Sequence, residues 1–204
     1  MSKLLKVVAF NGSPRANGNT AYCLKRMLDI ISDKGIKTEL VQIGNKKIEG
    51  CSACRQCKDN KYCIKKKDIV NESIDKMRES DGIILGSPVY FAGMSGNMKN
   101  FVDRVGYCFR NNCDKDRHND LYRKVGCGIS VNATGGAANT YSQMNYFFGI
   151  NEMIIPSSVY WNLVAAYEPK TAEKDKNAMF TIDRLAENMV WVMEAVRDKK
   201  EKTN

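Results

Sequence analysis

Short apolar runs alternate with amphipathic stretches along the whole chain. Lys6-Val7-Val8-Ala9-Phe10 stops at a Gly- and Pro-containing loop, the pattern of a buried parallel strand. From Asn19 to Lys34, Ala21, Leu24, Leu28 and Ile31 recur at helical spacing, and Gly35 supplies a stop. Thr38–Ile43 is predicted as strand two. Residues 44–67 then break the rhythm with a Cys- and Lys-rich stretch, read as an insertion. Asp68 can cap a helix that turns Ile69, Ile74 and Met77 to the core. Gly82–Gly86 is predicted as strand three, followed by a loop from Ser87 to Phe91. A helix starting near Ser95 carries Met98, Phe101, Val102 and Val105. A polar excursion from Asn111 to Lys124 leads to strand four, Val125–Val131. The loop Ala133–Gly136 feeds a helix through Phe148, Met153–Trp161 is read as strand five, and the last helix spans about Met179–Lys199.

Strands alternating with helices predict one α/β domain over residues 1–204: a doubly wound, five-stranded parallel sheet of order 2-1-3-4-5. Ligands are then expected at the carboxyl ends of strands one, three and four.

Composition narrows the function. With 43% apolar and 27% charged residues, the chain reads as an ordinary globular protein. Its apolar runs are strand-sized, and its N-terminus lacks the pattern of a signal peptide, so a cytoplasmic protein without membrane association is expected. The net charge of +9 is scattered and accompanies no nucleic-acid-binding motif, so it reads as a solvated Lys-rich surface. The eight cysteines, four of them clustered, point to metal, cluster or redox chemistry in a reducing compartment.

The loop after strand one, Gly12-Ser13-Pro14-Arg15-Ala16-Asn17-Gly18-Asn19-Thr20, has the makings of a phosphate site. A helix starting at Asn19 aims free N–H groups and the positive end of its dipole at an anion. Ser13, Asn19 and Thr20 add side-chain donors, Arg15 adds a charge, and Gly12 and Gly18 permit close approach. The spacing fits neither the Walker nor the dinucleotide pattern, which leaves a phosphate monoester as the best ligand.

The Phe10–Thr20 segment resembles the G-S-P-R-x-x-G-N-T loop of the NADPH-dependent FMN reductases, a family of flavodoxin-like fold. Gly86–Phe91 is similar to that family's second flavin loop, and the stretch from Met98-Lys99 through Phe101, Asp103 and Arg104 to its K-x-F-x-D-R segment. The resemblance implies that Ser13, Arg15, Gly18, Asn19 and Thr20 hold the FMN phosphate. It also implies that Ser87, Pro88, Val89, Tyr90 and Phe91 border the isoalloxazine, with Thr134, Gly135 and Gly136 on the third side. Tyr90 and Phe91 suit that task by themselves, since a flavin needs flat apolar walls.

Cys51-x2-Cys54-x2-Cys57-x5-Cys63 is the second strong motif. One compact loop can wrap four thiolates around a cubane. A zinc ion suits the same thiols, and unliganded or disulfide-forming cysteines remain a third reading. The spacing resembles that of the iron–sulfur flavoproteins, a branch of the same family, which implies a [4Fe–4S] cluster near the flavin. Nearby Arg55, Lys58, Lys61, Lys65, Lys66 and Lys67 can offset a cluster's charge or meet an acidic donor protein.

The expected activity is an FMN-dependent oxidoreductase moving electrons between a ferredoxin-like donor or NAD(P)H and a small-molecule acceptor. No side chain is assigned as a catalytic acid or base, because the chemistry belongs to the flavin. Without a cluster the expectation becomes an NAD(P)H-dependent flavin or quinone reductase; a carrier or thiol sensor without turnover is the alternative of another class. The family resemblance implies a homodimer or homotetramer. His118 is read as solvent-exposed, Cys108 and Cys113 as ordinary thiols, Cys23 and Cys127 as core, and Trp161 and Trp191 as packing or interface residues.

Overall fold

A computed structural model describes residues 4–203. Parallel strands β1 (Lys6–Asn11), β2 (Lys37–Gln42), β3 (Gly82–Tyr90), β5 (Val125–Asn132) and β6 (Leu163–Ala165) form one sheet of order β2-β1-β3-β5-β6. The two-residue β4 (Gly93–Met94) pairs antiparallel with β3, off this path. The helices are α1 (Asn19–Ser32), the single turn α2 (Cys57–Asn60), α3 (Val70–Glu79), α4 (Gly96–Arg110), α5 (Ala137–Ile150) and α6 (Lys176–Thr203).

Strand periodicity sorts the core into two layers. Val7, Ala9, Ile84, Cys127 and Ile129 face α1 and α6. Val8, Phe10, Ile83 and Leu85 face the opposite way, against α3, α4 and α5. Side chains alternate across a strand, so continuous apolar runs serve both layers. Arg26 of α1 grips Asp183 of α6 through two bonds of 2.6 and 2.7 Å, which fixes one helical layer.

The sheet departs from the sequence reading at two places. The expected fifth strand, Met153–Trp161, contributes only an isolated bridge between Ile154 and Val125, and the edge strand is Leu163–Ala165. Pro156 interrupts the apolar run, and a residue without an N–H cannot sustain a ladder. The expected Ser87–Phe91 loop is largely strand: β3 runs through Tyr90, with Ser87 opposite Ser130 and Pro88 opposite Val131. It turns back at Phe91-Ala92, where both φ angles are positive, +48° and +58°. Strand twist favours such a tight hairpin turn, although Asn-Gly is its usual sequence.

Cys23 and Cys127 lie in the core as expected. Burial pushes the Cys23 thiol up to about 12 from 9.0, against smaller lowering by a backbone hydrogen bond and Arg26. Between those values the unfolded chain has released a proton that the folded chain keeps, so stability falls as pH rises. Urea unfolding from pH 9 to 11 is expected to show a shallower decline for Cys23→Ala, by about 1.4 kcal/mol per pH unit. Equal slopes for the two proteins would reject this.

Candidate functional site

The start of α1 leaves its N–H groups without a side-chain cap. Gly18 is its N-cap, no side chain caps it, and its first turn holds no acid. The first N–H groups of a helix have no intrahelical partners, so those here remain available to a ligand. Ser13 and Thr20 are buried beside them, and the Thr20 hydroxyl makes no hydrogen bond among the described residues. Arg15 is exposed.

Asn19 behaves differently from its expected role. Its amide donates to the carbonyls of Glu168 (2.8 Å) and Ala166 (3.4 Å). Its oxygen accepts from the N–H groups of Thr171 (2.8 Å) and Ala172 (3.2 Å). The side chain therefore stitches α1 to the segment before α6, and only its backbone N–H remains for a phosphate.

Neighbouring strands hold the loop in shape. Asn11 Oδ1 accepts from Ser13 N at 3.0 Å, and Gln42 Nε2 donates to Ser13 O at 2.6 Å. Gly44 packs so closely that a Cβ there would lie 2.2 Å from the carbonyl carbon and oxygen of Ser13. The sequence reading assigned no role to Gln42 or Gly44.

The other expected flavin-bordering loops meet this one. Gly12 N donates to Gly86 O at 2.8 Å, and Ser95 Oγ donates to Gly12 O at 2.7 Å. Ser87 Oγ accepts from Ser95 N at 3.0 Å, fixing the start of α4. Tyr90 and Phe91 stand exposed on the hairpin, Phe91 fully so. Gly136, with φ +79°, adopts a backbone that L side chains resist, and a Cβ would come within 2.7 Å of Ala92 Cα. Asn139 also donates to Ala92 O at 2.6 Å. Thr134 and Gly135 lie exposed just before that contact.

Helix α4 links this edge to the cysteines. Asn97 donates to the carbonyls of Gly44 (2.8 Å) and Lys46 (2.7 Å), Asn100 to Ile48 (2.9 Å), and Arg104 to Glu49 (3.3 Å). These positions share one helical face, so the helix holds the segment after β2 as it leaves its contact with Ser13. Beyond it Cys51, Cys54, Cys57 and Cys63 line one hollow, together with Arg104, Tyr107 and Cys108. Among the described residues, no three His, Cys, Asp or Glu groups converge as on a single metal ion.

The cysteine loop has an unusual backbone. Ala53 and Arg55 take positive φ, and Ala53 N donates to Cys51 Sγ at 3.4 Å. Left-handed residues within turns gather N–H groups into concavities that suit phosphates and iron–sulfur clusters. Arg104 directs Nε and Nη2 at Cys63 Sγ, each at 3.3 Å, and pairs with Asp68. Burial opposes its charge, but Asp68 and Cys63 hold the guanidinium above its usual range. Cys108, expected to be an ordinary thiol, is a free cysteine buried beside Cys57 and Cys63, and burial followed by those two residues pushes its thiol upward.

The remaining expectations divide. His118 is held by Glu152 at 3.2 Å and stacked on Tyr122 at 3.7 Å, so it is half-buried rather than free in solvent. Cys113 is partly buried, with its thiol directed at the Arg110 carbonyl. Trp161 and Trp191 are exposed and do not pack in the core of this chain. No helix among the described residues is long and apolar enough to cross a membrane.

A family model described as NADPH-dependent FMN reductase matches residues 5–168. The chain is 33% identical over 205 residues to an iron–sulfur flavoprotein of Methanocaldococcus jannaschii, covering 95% of this chain and 100% of that relative. An iron–sulfur flavoprotein of Methanosarcina thermophila is 28% identical over 206 residues, with 97% and 100% covered. A flavodoxin, WrbA-like protein from Agrobacterium tumefaciens shares the fold at a TM-score of 0.63 and 16% identity, with 96% of this chain and 99% of that one covered. The chain thus belongs to the NADPH-dependent FMN reductase family, in its iron–sulfur flavoprotein branch, and is a flavin-dependent oxidoreductase of flavodoxin-like fold.

Proposed function

We propose that this chain binds FMN at the joined loops and a [4Fe–4S] cluster at Cys51, Cys54, Cys57 and Cys63, moving electrons between a reduced donor and a small-molecule acceptor. One observation carries the reading: a segment bonded to α4 leads from the phosphate loop to four thiols around one hollow. The donor set fits both groups. Uncapped N–H groups with Ser13 and Thr20 suit a phosphate, while the Tyr90–Phe91 hairpin and the loop of Thr134, Gly135 and Gly136 offer walls for a flat ring. A hollow edged by separate thiols, with an N–H on one sulfur and a guanidinium on another, suits a cubane, whose ligands sit at different corners.

FMN would supply two-electron chemistry and the cluster one-electron transfer. The protein's part is to anchor the phosphate, orient the ring and tune both groups. The donor is a ferredoxin-like protein or NAD(P)H, and the acceptor a small molecule. Similarity of the iron–sulfur flavoproteins along nearly the whole chain supports this reading.

Anaerobically purified protein is expected to carry FMN with about four iron and four sulfide per chain. Ser13→Glu, which sets a carboxylate against the phosphate, should lose FMN by at least about tenfold in affinity and keep its iron. Iron-free protein that retains FMN would leave a reductase without a cluster. Protein that neither carries nor takes up FMN would overturn the reading.

A further inference from the structure

We propose that Arg104 is a positioning residue that holds the Cys63 sulfur and raises the reduction potential of the cluster, and that Asp68 opposes it. This rests on the cluster reading above. Arg104 is buried in α4, and its guanidinium has a partner for each N–H. Nε and Nη2 share Cys63 Sγ at 3.3 Å; Nη2 also donates to Lys65 O at 2.8 Å, and Nη1 donates to Glu49 O at 3.3 Å and to the Asp68 carboxylate. The carbonyls fix the plane of the guanidinium, so its fork stays on the sulfur. Lysine could keep the charge, but not a planar pair of donors on one atom.

Electron uptake adds one negative charge to the cluster. A buried cation donating hydrogen bonds to a ligand sulfur favours that reduced form, whereas a nearby carboxylate disfavours it. The two side chains must therefore act with opposite sign on the same equilibrium, although both belong to one bonded group. A purely structural role would not produce that opposition, because both changes weaken the same packing.

The test is a mediated dithionite titration of the anaerobic holoprotein, following the cluster by electron paramagnetic resonance and FMN by absorbance. Arg104→Lys is expected to shift the cluster equilibrium at least about tenfold toward the oxidised form, equivalent to about 59 mV for one electron. Asp68→Asn is expected to shift it toward the reduced form. Unchanged potentials, or shifts of the same sign, overturn the proposal. If only Asp68→Asn retains iron, its direction of shift decides. If both variants fold without iron, Arg104 is structural and the tuning role fails. Absence of iron from the wild type is a separate outcome, since it removes the cluster reading itself and the inference with it.

Discussion

Gly44→Ala is expected to destabilise the protein by about 3 kcal/mol and to weaken FMN binding by at least about tenfold. The added methyl would meet Ser13 C and O at 2.2 Å and Gly12 O at 2.4 Å. These are backbone atoms and cannot rotate away as a side-chain tip can. Nor is the loop free to retreat, because Gly44 N donates to Asn11 O at 2.9 Å and Gln42 holds Ser13 O at 2.6 Å. Relief requires moving the turn that presents Ser13 to the ligand. Gly35→Ala is the control: its φ of +77° is strained for alanine, but nothing lies within 4 Å of the new Cβ. That variant should lose about 1 kcal/mol and bind FMN normally. Urea unfolding of the apoprotein and FMN fluorescence titration measure both quantities. Wild-type affinity in Gly44→Ala would show that this packing does not support a flavin phosphate loop.

Sequence legibility followed the range of the interaction. The first strand, the loop after it and α1 were readable because an apolar run, a glycine-containing turn and a helical repeat succeed one another locally. The cysteine spacing was readable for the same reason. Less visible was the hairpin at Phe91-Ala92, whose residues are not those that ordinarily take positive φ. Leu163–Ala165 is too short to show periodicity, and the strand prediction fell on Met153–Trp161 ahead of it instead. Asn97, Asn100 and Arg104 of α4 grip carbonyls more than fifty positions earlier. Such partners leave no local trace. Residue type identified Asn19 as a donor, but only the folded chain shows where that donor points.

That redirection gives the second large effect. Asn19→Ala is expected to lower apoprotein stability by about 2–4 kcal/mol, since it removes two donated and two accepted hydrogen bonds between α1 and residues 166–172. The alanine is a better helix former, but that gain is smaller than the loss of the stitch. Freed carbonyls and N–H groups can turn to water, so the segment ahead of α6 should become more open to limited proteolysis. The N–H groups at the start of α1 survive the substitution, as do Ser13 and Thr20. FMN affinity should therefore fall much less than in Ser13→Glu, by under about tenfold, or about 1.4 kcal/mol. Thermal or urea unfolding, proteolytic mapping and flavin titration separate the two roles. An Asn19→Ala protein with wild-type stability and no measurable FMN binding would return this side chain to the phosphate.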